Sequence, residues 1–232
     1  MIFSKNIYFL SLFFLFLSCD SKKLQTEIIT NNLKEKLDLK KEILKDSSFI
    51  KEGDIIFQTS LSSQSKAIQL ATKSKYSHVG IIFKTDDNKN NFIVLEAVQP
   101  VKFTPLEDWI KRGKDSHFVI KRLKNADEVL TNEVIQKMKN RGNNWIGKNY
   151  DLYFEWSDEK IYCSELVWKI YKEVLGIEVG KLEKLSNFDL SNKIVKDKMK
   201  ERYGNKISSE KLNENVISPA SIFKSNELVF VK

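Results

Sequence analysis

Two apolar runs divided by a polar spacer set the strongest constraint on how this chain can fold. Residues 79–83 and 92–98 are dominated by β-branched, aromatic and aliphatic side chains, the types that suit a pleated, buried surface. Between them stands Asp86-Asp87-Asn88-Lys89-Asn90-Asn91, whose short polar side chains favour turns. The pattern predicts an antiparallel hairpin in the middle of the fold. Gly53-Asp54-Ile55-Ile56-Phe57 reads as a turn feeding a short buried strand, and residues 117–123 alternate as another. Helices are expected over residues 62–73, 106–111, 128–140 and 163–175, the last stopped by Gly176. Residues 188–203 read as a polar helix or a loop containing one, and 228–231 as a closing strand. Strands in the middle with helices before and after predict an α+β class, helices packed on a small antiparallel sheet.

The first 48 residues have a different character. After Lys5 comes an apolar run over residues 7–17, interrupted only by Ser11. A helix of that length rises about 16 Å, too short for about 30 Å of hydrocarbon, so the run fits the core of a signal peptide. It ends in Phe16-Leu17-Ser18-Cys19 and turns polar at Asp20-Ser21-Lys22-Lys23. A small residue directly before a Cys at that point resembles a bacterial lipobox. The resemblance implies cleavage before Cys19, lipidation of its sulfur, and an exported protein anchored to a membrane of the bacterial cell envelope. Residues 20–48 lack Gly and Pro and carry Leu24, Ile28, Leu33, Leu37 and Leu44 at roughly helical spacing, as a tether with an amphipathic helix would. The expected organisation is a signal peptide over 1–19, a tether over 20–48 and one domain over 49–232. The net charge of +8 is spread over lysines interleaved with Glu and Asp, which reads as a solvated surface rather than a nucleic-acid face.

Few side chains are available for chemistry. The only cysteines are Cys19 and Cys163, and the only histidines are His78 and His117. With Cys19 lipidated, Cys163 has no disulfide partner and is either core filler or a reactive thiol. Two histidines nearly exclude a multi-histidine metal site. His78 opens the first apolar run, where strand alternation puts Tyr76, His78 and Gly80 on one face, Gly80 leaving space beside the imidazole. Glu96 is the lone acid of the second run, and a carboxylate there needs a partner. A hairpin would set Glu96 beside His78, fixing one ring nitrogen and freeing the other to act as a base. Cys163 opens a predicted helix, whose unpaired amides and dipole favour a thiolate and can serve a developing oxyanion. Singly, each residue has a structural reading: filler, a backbone donor, an edge carboxylate. His117 follows a polar turn, is expected at the surface, and is the weaker base.

Six blocks in order then resemble the permuted papain-like cysteine hydrolases of the YiiX/YebB type, relatives of the NlpC-type cell-wall peptidases. They are Gly53 to Gln58, Tyr76 to Ile81, Leu95-Glu96-Ala97, Gly147-Lys148-Asn149-Tyr150-Asp151, Ile161 to Val167, and Ile217-Ser218-Pro219-Ala220. The resemblance covers about residues 51–231. It implies a circularly permuted papain-like fold with Cys163 as nucleophile, His78 as base and Glu96 orienting His78. It further implies an oxyanion hole using the Cys163 amide, with Tyr76 and Tyr162 lining the substrate cleft, and no cofactor or metal. No glycine-rich phosphate loop or paired-Cys zinc spacing occurs. The implied reaction is hydrolysis of an amide, in a peptidoglycan peptide or an acylated amine, through an acyl-enzyme. A second reading is a lipid acyltransferase or thioesterase on the same fold, favoured by a pocket of Phe and Leu near Cys163, where a polar cleft favours amide hydrolysis. A third is a catalytically silent envelope-binding lipoprotein. Residues 187–215 match no motif, and the sequence specifies neither the substrate, the membrane and leaflet, nor the oligomeric state.

Overall fold

The computed structural model describes residues 25–31, 34, 47–85 and 91–232. The run at 7–17, Cys19 and the spacer residues 86–90 lie outside the described residues. The chain divides into units 1–48 and 49–232. In the first, residues 25–31 are helical and exposed, Ile28 and Ile29 included.

The second unit is α+β. Its strands are β1 Ile55–Gln58, β2 His78–Lys84, β3 Phe92–Glu96, β4 Lys102–Pro105, β5 Phe118–Leu123, β6 Glu183–Lys184, β7 Asn215–Val216 and β8 Leu228–Phe230. Its helices are α1 Ser65–Thr72, α2 Leu106–Arg112, α3 Ala126–Val129, α4 Asn132–Asn143, α5 Cys163–Leu175, α6 Lys193–Tyr203, α7 Ser209–Leu212 and α8 Pro219–Phe223. One antiparallel sheet has the order β4-β3-β2-β1-β5-β8, and β6 pairs with β7 apart from it. The predicted hairpin is the β2–β3 pair, with Ile81 opposite Leu95 and Phe83 opposite Ile93.

Both faces of the central strands are buried, so these strands read as continuous apolar runs rather than alternating ones. Ile55, Phe57, Ile81, Phe83 and Leu95 belong to the main core with Leu166, Val167 and Ile170 of α5 and Met138 of α4. Ile56, Ile82 and Val94 point the other way and are equally buried. On that side α2 brings Trp109, whose ring stacks on His78. Gly80 is needed for the close pairing of β2 with β3. A Cβ there would lie 2.4 Å from Val94 Cγ1 and 2.8 Å from the Leu95 carbonyl oxygen. The space expected beside the imidazole is therefore filled, by Val94 and Glu96.

Two elements differ from expectation, and a third resolves one left open. The single helix expected over 128–140 is two, broken at Thr131, whose side chain accepts from Val134 N at 3.3 Å and caps α4. Strand β4 ends at a Pro and is only four residues long, too short to carry a period of its own. Residues 188–203 resolve into a loop and α6, opened by Asn192, which accepts from Ile194 N at 2.9 Å. Gly176 stops α5 as expected, with φ at 73°.

Candidate active site

Cys163 is the first residue of α5. Tyr162 before it is extended, with φ −106° and ψ 166°, and its N–H donates to Glu165 Oε2 at 3.5 Å. Ser164 Oγ donates to the Ile217 carbonyl at 2.8 Å and ties the helix start to the chain's last third. Apolar residues Leu166, Val167 and Ile170 bury the helix, so its first residue is carried to the sheet with its sulfur beside His78.

His78 is the first residue of β2, directly opposite Gln58 of β1. Its ring lies over Trp109, with centroids 5.7 Å apart and planes 22° from parallel. Nε2 is 2.6 Å from Glu96 Oε2, which leaves Nδ1 as the atom for the hydrogen bond to Cys163. Glu96 closes β3 and is fully buried. Thr104 Oγ1 donates to its Oε1 at 2.6 Å, and Arg112 Nη2 donates to Oε2. Both oxygens of this carboxylate are thus engaged, as a buried anion requires.

The charges support one another. Burial alone pushes the Glu96 carboxyl up, but His78 and Arg112 outweigh it and hold it at about 2. Burial opposes charge on His78, yet the hydrogen bonds and charges of Cys163 and Glu96 lift it to about 9. Burial raises the Cys163 thiol, and the His78 partner with the N–H groups of Val79 and Ser164 brings it below its usual value. These shifts favour a thiolate on Cys163 and an imidazolium on His78 backed by a carboxylate, the state a thiol nucleophile needs.

Two cavities meet at this pair. An apolar one is lined by Cys163 with Ile68, Phe154, Leu190, Val195 and Met199, and Tyr162 stands in its wall. A less apolar groove is lined by His78 with Gln58, Ser62, Ser77, Gln99 and Arg112. Tyr162 is held by its hydroxyl, which accepts from Ile217 N at 3.1 Å, and by Phe154, 5.1 Å away edge to face. Tyr76 is a correction: it faces neither cavity. Strand alternation begins only at His78, so Tyr76 turns into the core, its ring centroid 5.9 Å from Phe57 and 4.4 Å from Phe223. His117 is exposed, 3.4 Å from Lys75 Nζ. Among the described residues no three His, Cys, Asp or Glu side chains converge to hold a metal ion.

Sequence reasoning passed over Thr104, Arg112, Gln64 and Tyr150. Only Tyr150 carried a signal, lying within the block Gly147 to Asp151. Its hydroxyl accepts from Gln64 Nε2 at 3.0 Å, and its ring lines the cavity beside Cys163. Burial, with the Cys163 charge second, holds its phenol well above the ordinary value.

Comparison with known proteins agrees with this fold. Residues 49–232 match the model of a family described as permuted papain-like amidase enzymes, YaeF/YiiX, C92. A relative from Escherichia coli K12, "Uncharacterized protein YiiX", is 48% identical over 179 residues, spanning 77% of this chain and 84% of its own. A crystal structure described as metalloprotein yiiX from Escherichia coli O157:H7 superposes with a TM-score of 0.72 at 47% identity. It covers 78% of this chain and 96% of that one.

Proposed function

The chain belongs to the permuted papain-like amidase family of the YaeF/YiiX type, and on that premise we propose that Cys163, His78 and Glu96 cleave an amide through a thioester acyl-enzyme. The observation that supports this is the 2.6 Å contact of His78 Nε2 with the buried Glu96 carboxylate, with Cys163 as the other group that acts on the imidazole. The thiolate attacks the carbonyl carbon and the carbonyl oxygen takes the negative charge. The Cys163 amide, at the start of α5 where amides lack helical partners, donates to that oxygen. The His78 imidazolium gives its proton to the leaving nitrogen as the carbon–nitrogen bond breaks. A water then enters, His78 takes its proton, and the thioester is hydrolysed to acid and free thiol.

The cavities bear on the substrate. The wall beside Cys163 is apolar, and the groove on the His78 side carries more polar side chains. An acylated amine fits them better than a peptidoglycan peptide: the apolar acyl part lies on the sulfur side and the polar amine leaves past the imidazole. The same apolar wall favours a second reading, transfer of the acyl group to an alcohol or amine instead of water. The residues present do not fit the metal that the description of the E. coli structure as a metalloprotein implies. No ligand set gathers among the described residues, and Glu96 is already taken up by His78, Thr104 and Arg112.

Export and lipid anchoring through Cys19 complete the proposal, on the lipobox-like Ser18-Cys19 and the apolar run before it. The protein is incubated with N-acyl amines of graded chain length and its intact mass is followed. An acyl adduct on Cys163, absent in Cys163→Ala, with release of acid and amine is expected. No turnover and no adduct across the series counts against the amidase reading, and adducts that discharge only to an added alcohol favour the acyltransferase. Cys19→Ser is expected to move the protein from the membrane fraction to the soluble one.

A further inference from the structure

Gln64 and Tyr150 each line both cavities, so they form the partition at the reacting sulfur. A series of hydrogen bonds runs through them. Arg202, on α6, donates Nη2 to Gln64 Oε1, and Gln64 Nε2 donates to the Tyr150 hydroxyl at 3.0 Å. The Arg202 guanidinium also lies 4.9 Å over the Phe154 ring, which holds it in place. The direction of the series follows from the donor inventory. A guanidinium has donors and no acceptor, so the Gln64 carbonyl must face Arg202 and its NH₂ must face Tyr150. The Tyr150 oxygen is then an acceptor toward Gln64, and its single O–H is free to point elsewhere. On its other side Cys163 lines the same cavity, and the phenol and the sulfur act on each other electrostatically. Without Arg202 the amide could turn over, its carbonyl would draw the phenol proton, and the sulfur would lose its donor.

We propose that Arg202 and Gln64 are positioning residues that aim the Tyr150 hydroxyl at the Cys163 sulfur, making α6 part of the nucleophile's support. This gives a role to the stretch 187–215, for which the sequence offered none. It rests on the reading of Cys163 and His78 as the reacting pair.

The test is the pH midpoint of Cys163 alkylation by iodoacetamide in the full chain, read by mass. Losing a hydrogen bond to a charged group is worth about one pH unit, so Tyr150→Phe is expected to raise the midpoint by about that much. Arg202→Met is expected to raise it by less, with Arg202→Lys recovering part, since a lysine can still donate to the Gln64 carbonyl. In the Tyr150→Phe background, Arg202→Met should add nothing, because it acts only through that hydroxyl. A merely structural Arg202 would lower the melting temperature and leave the midpoint alone, which would overturn the inference, as would additive shifts in the double variant. If Arg202→Met does not fold, Gln64→Met carries the same test and must raise the midpoint, by less than Tyr150→Phe does. His78→Ala run beside these separates two failures. A midpoint that moves in His78→Ala but not in the Tyr150, Gln64 and Arg202 variants rejects the positioning role only. A midpoint that His78→Ala leaves in place rejects the pair itself.

Discussion

Glu96→Gln removes one negative charge while keeping the acceptor geometry. On the Oε2 side both partners, His78 and Arg112, are donors, so an oxygen must stay there. On the Oε1 side the partner is the Thr104 hydroxyl, which can donate or accept, so it tolerates an NH₂. The glutamine therefore fits in one orientation with all its bonds made. What is lost is the charge assistance in the bond to the imidazolium. Charged hydrogen bonds contribute about 1.5–3 kcal/mol and neutral ones about 0.5–1.5, a difference of about 1 kcal/mol or a little more. At 1.36 kcal/mol per unit, the His78 pKa of about 9 is expected to fall by roughly one unit. Histidine-labelled protein followed by NMR over pH 5–10 measures this directly. The chain has two histidines, and a His117→Gln sample identifies the second signal. An unchanged His78 titration in Glu96→Gln would refute the reasoning, because the carboxylate would then not be supporting the imidazolium's charge.

The same carboxylate makes the fold acid-sensitive. Its pKa of about 2 in the fold lies below the ordinary 4.5, so its contribution is present above about pH 4.5 and is lost as the pH falls toward 2. Denaturant titrations are expected to show on the order of 3 kcal/mol lost by wild type over that range and less by Glu96→Gln. Gly80→Ala should destabilise by about 1–3 kcal/mol in urea unfolding, because the nearest backbone atom, the Leu95 carbonyl oxygen, cannot yield; an unchanged midpoint contradicts the packing described. Met199→Trp, which narrows the apolar cavity, is expected to lower turnover of long-chain N-acyl amines and spare short ones. Equal losses at every chain length would show that the acyl group lies elsewhere.

How much of this was legible in sequence differs by residue. His78 and Glu96 could be found because each is a polar exception in an apolar strand, and the hairpin that joins them is local in sequence. Cys163 could be found because a thiol without a partner begins an amphipathic helix that Gly176 ends. Tyr76 was misread because alternation was extended two residues before the strand starts. Thr104 and Arg112 sit on β4 and α2, short elements without periodicity, and nothing local marks them as carboxylate partners. Gln64, Tyr150 and Arg202 are further apart still: 86 residues separate the first two, and 138 separate Gln64 from Arg202. Their meaning comes only from the fold that closes those distances.

The central claim is that Cys163 and His78 form a thiolate–imidazolium pair, and reactivity tests it most directly. Substoichiometric iodoacetamide is applied from pH 4 to 9, and alkylation of Cys163 is followed by mass in wild type and in His78→Ala. The account predicts that wild-type Cys163 reacts well below the ordinary thiol pKa of about 8.5 and that His78→Ala abolishes this. A sulfur that is inert throughout, or that reacts as a plain thiol whether or not His78 is present, would contradict it.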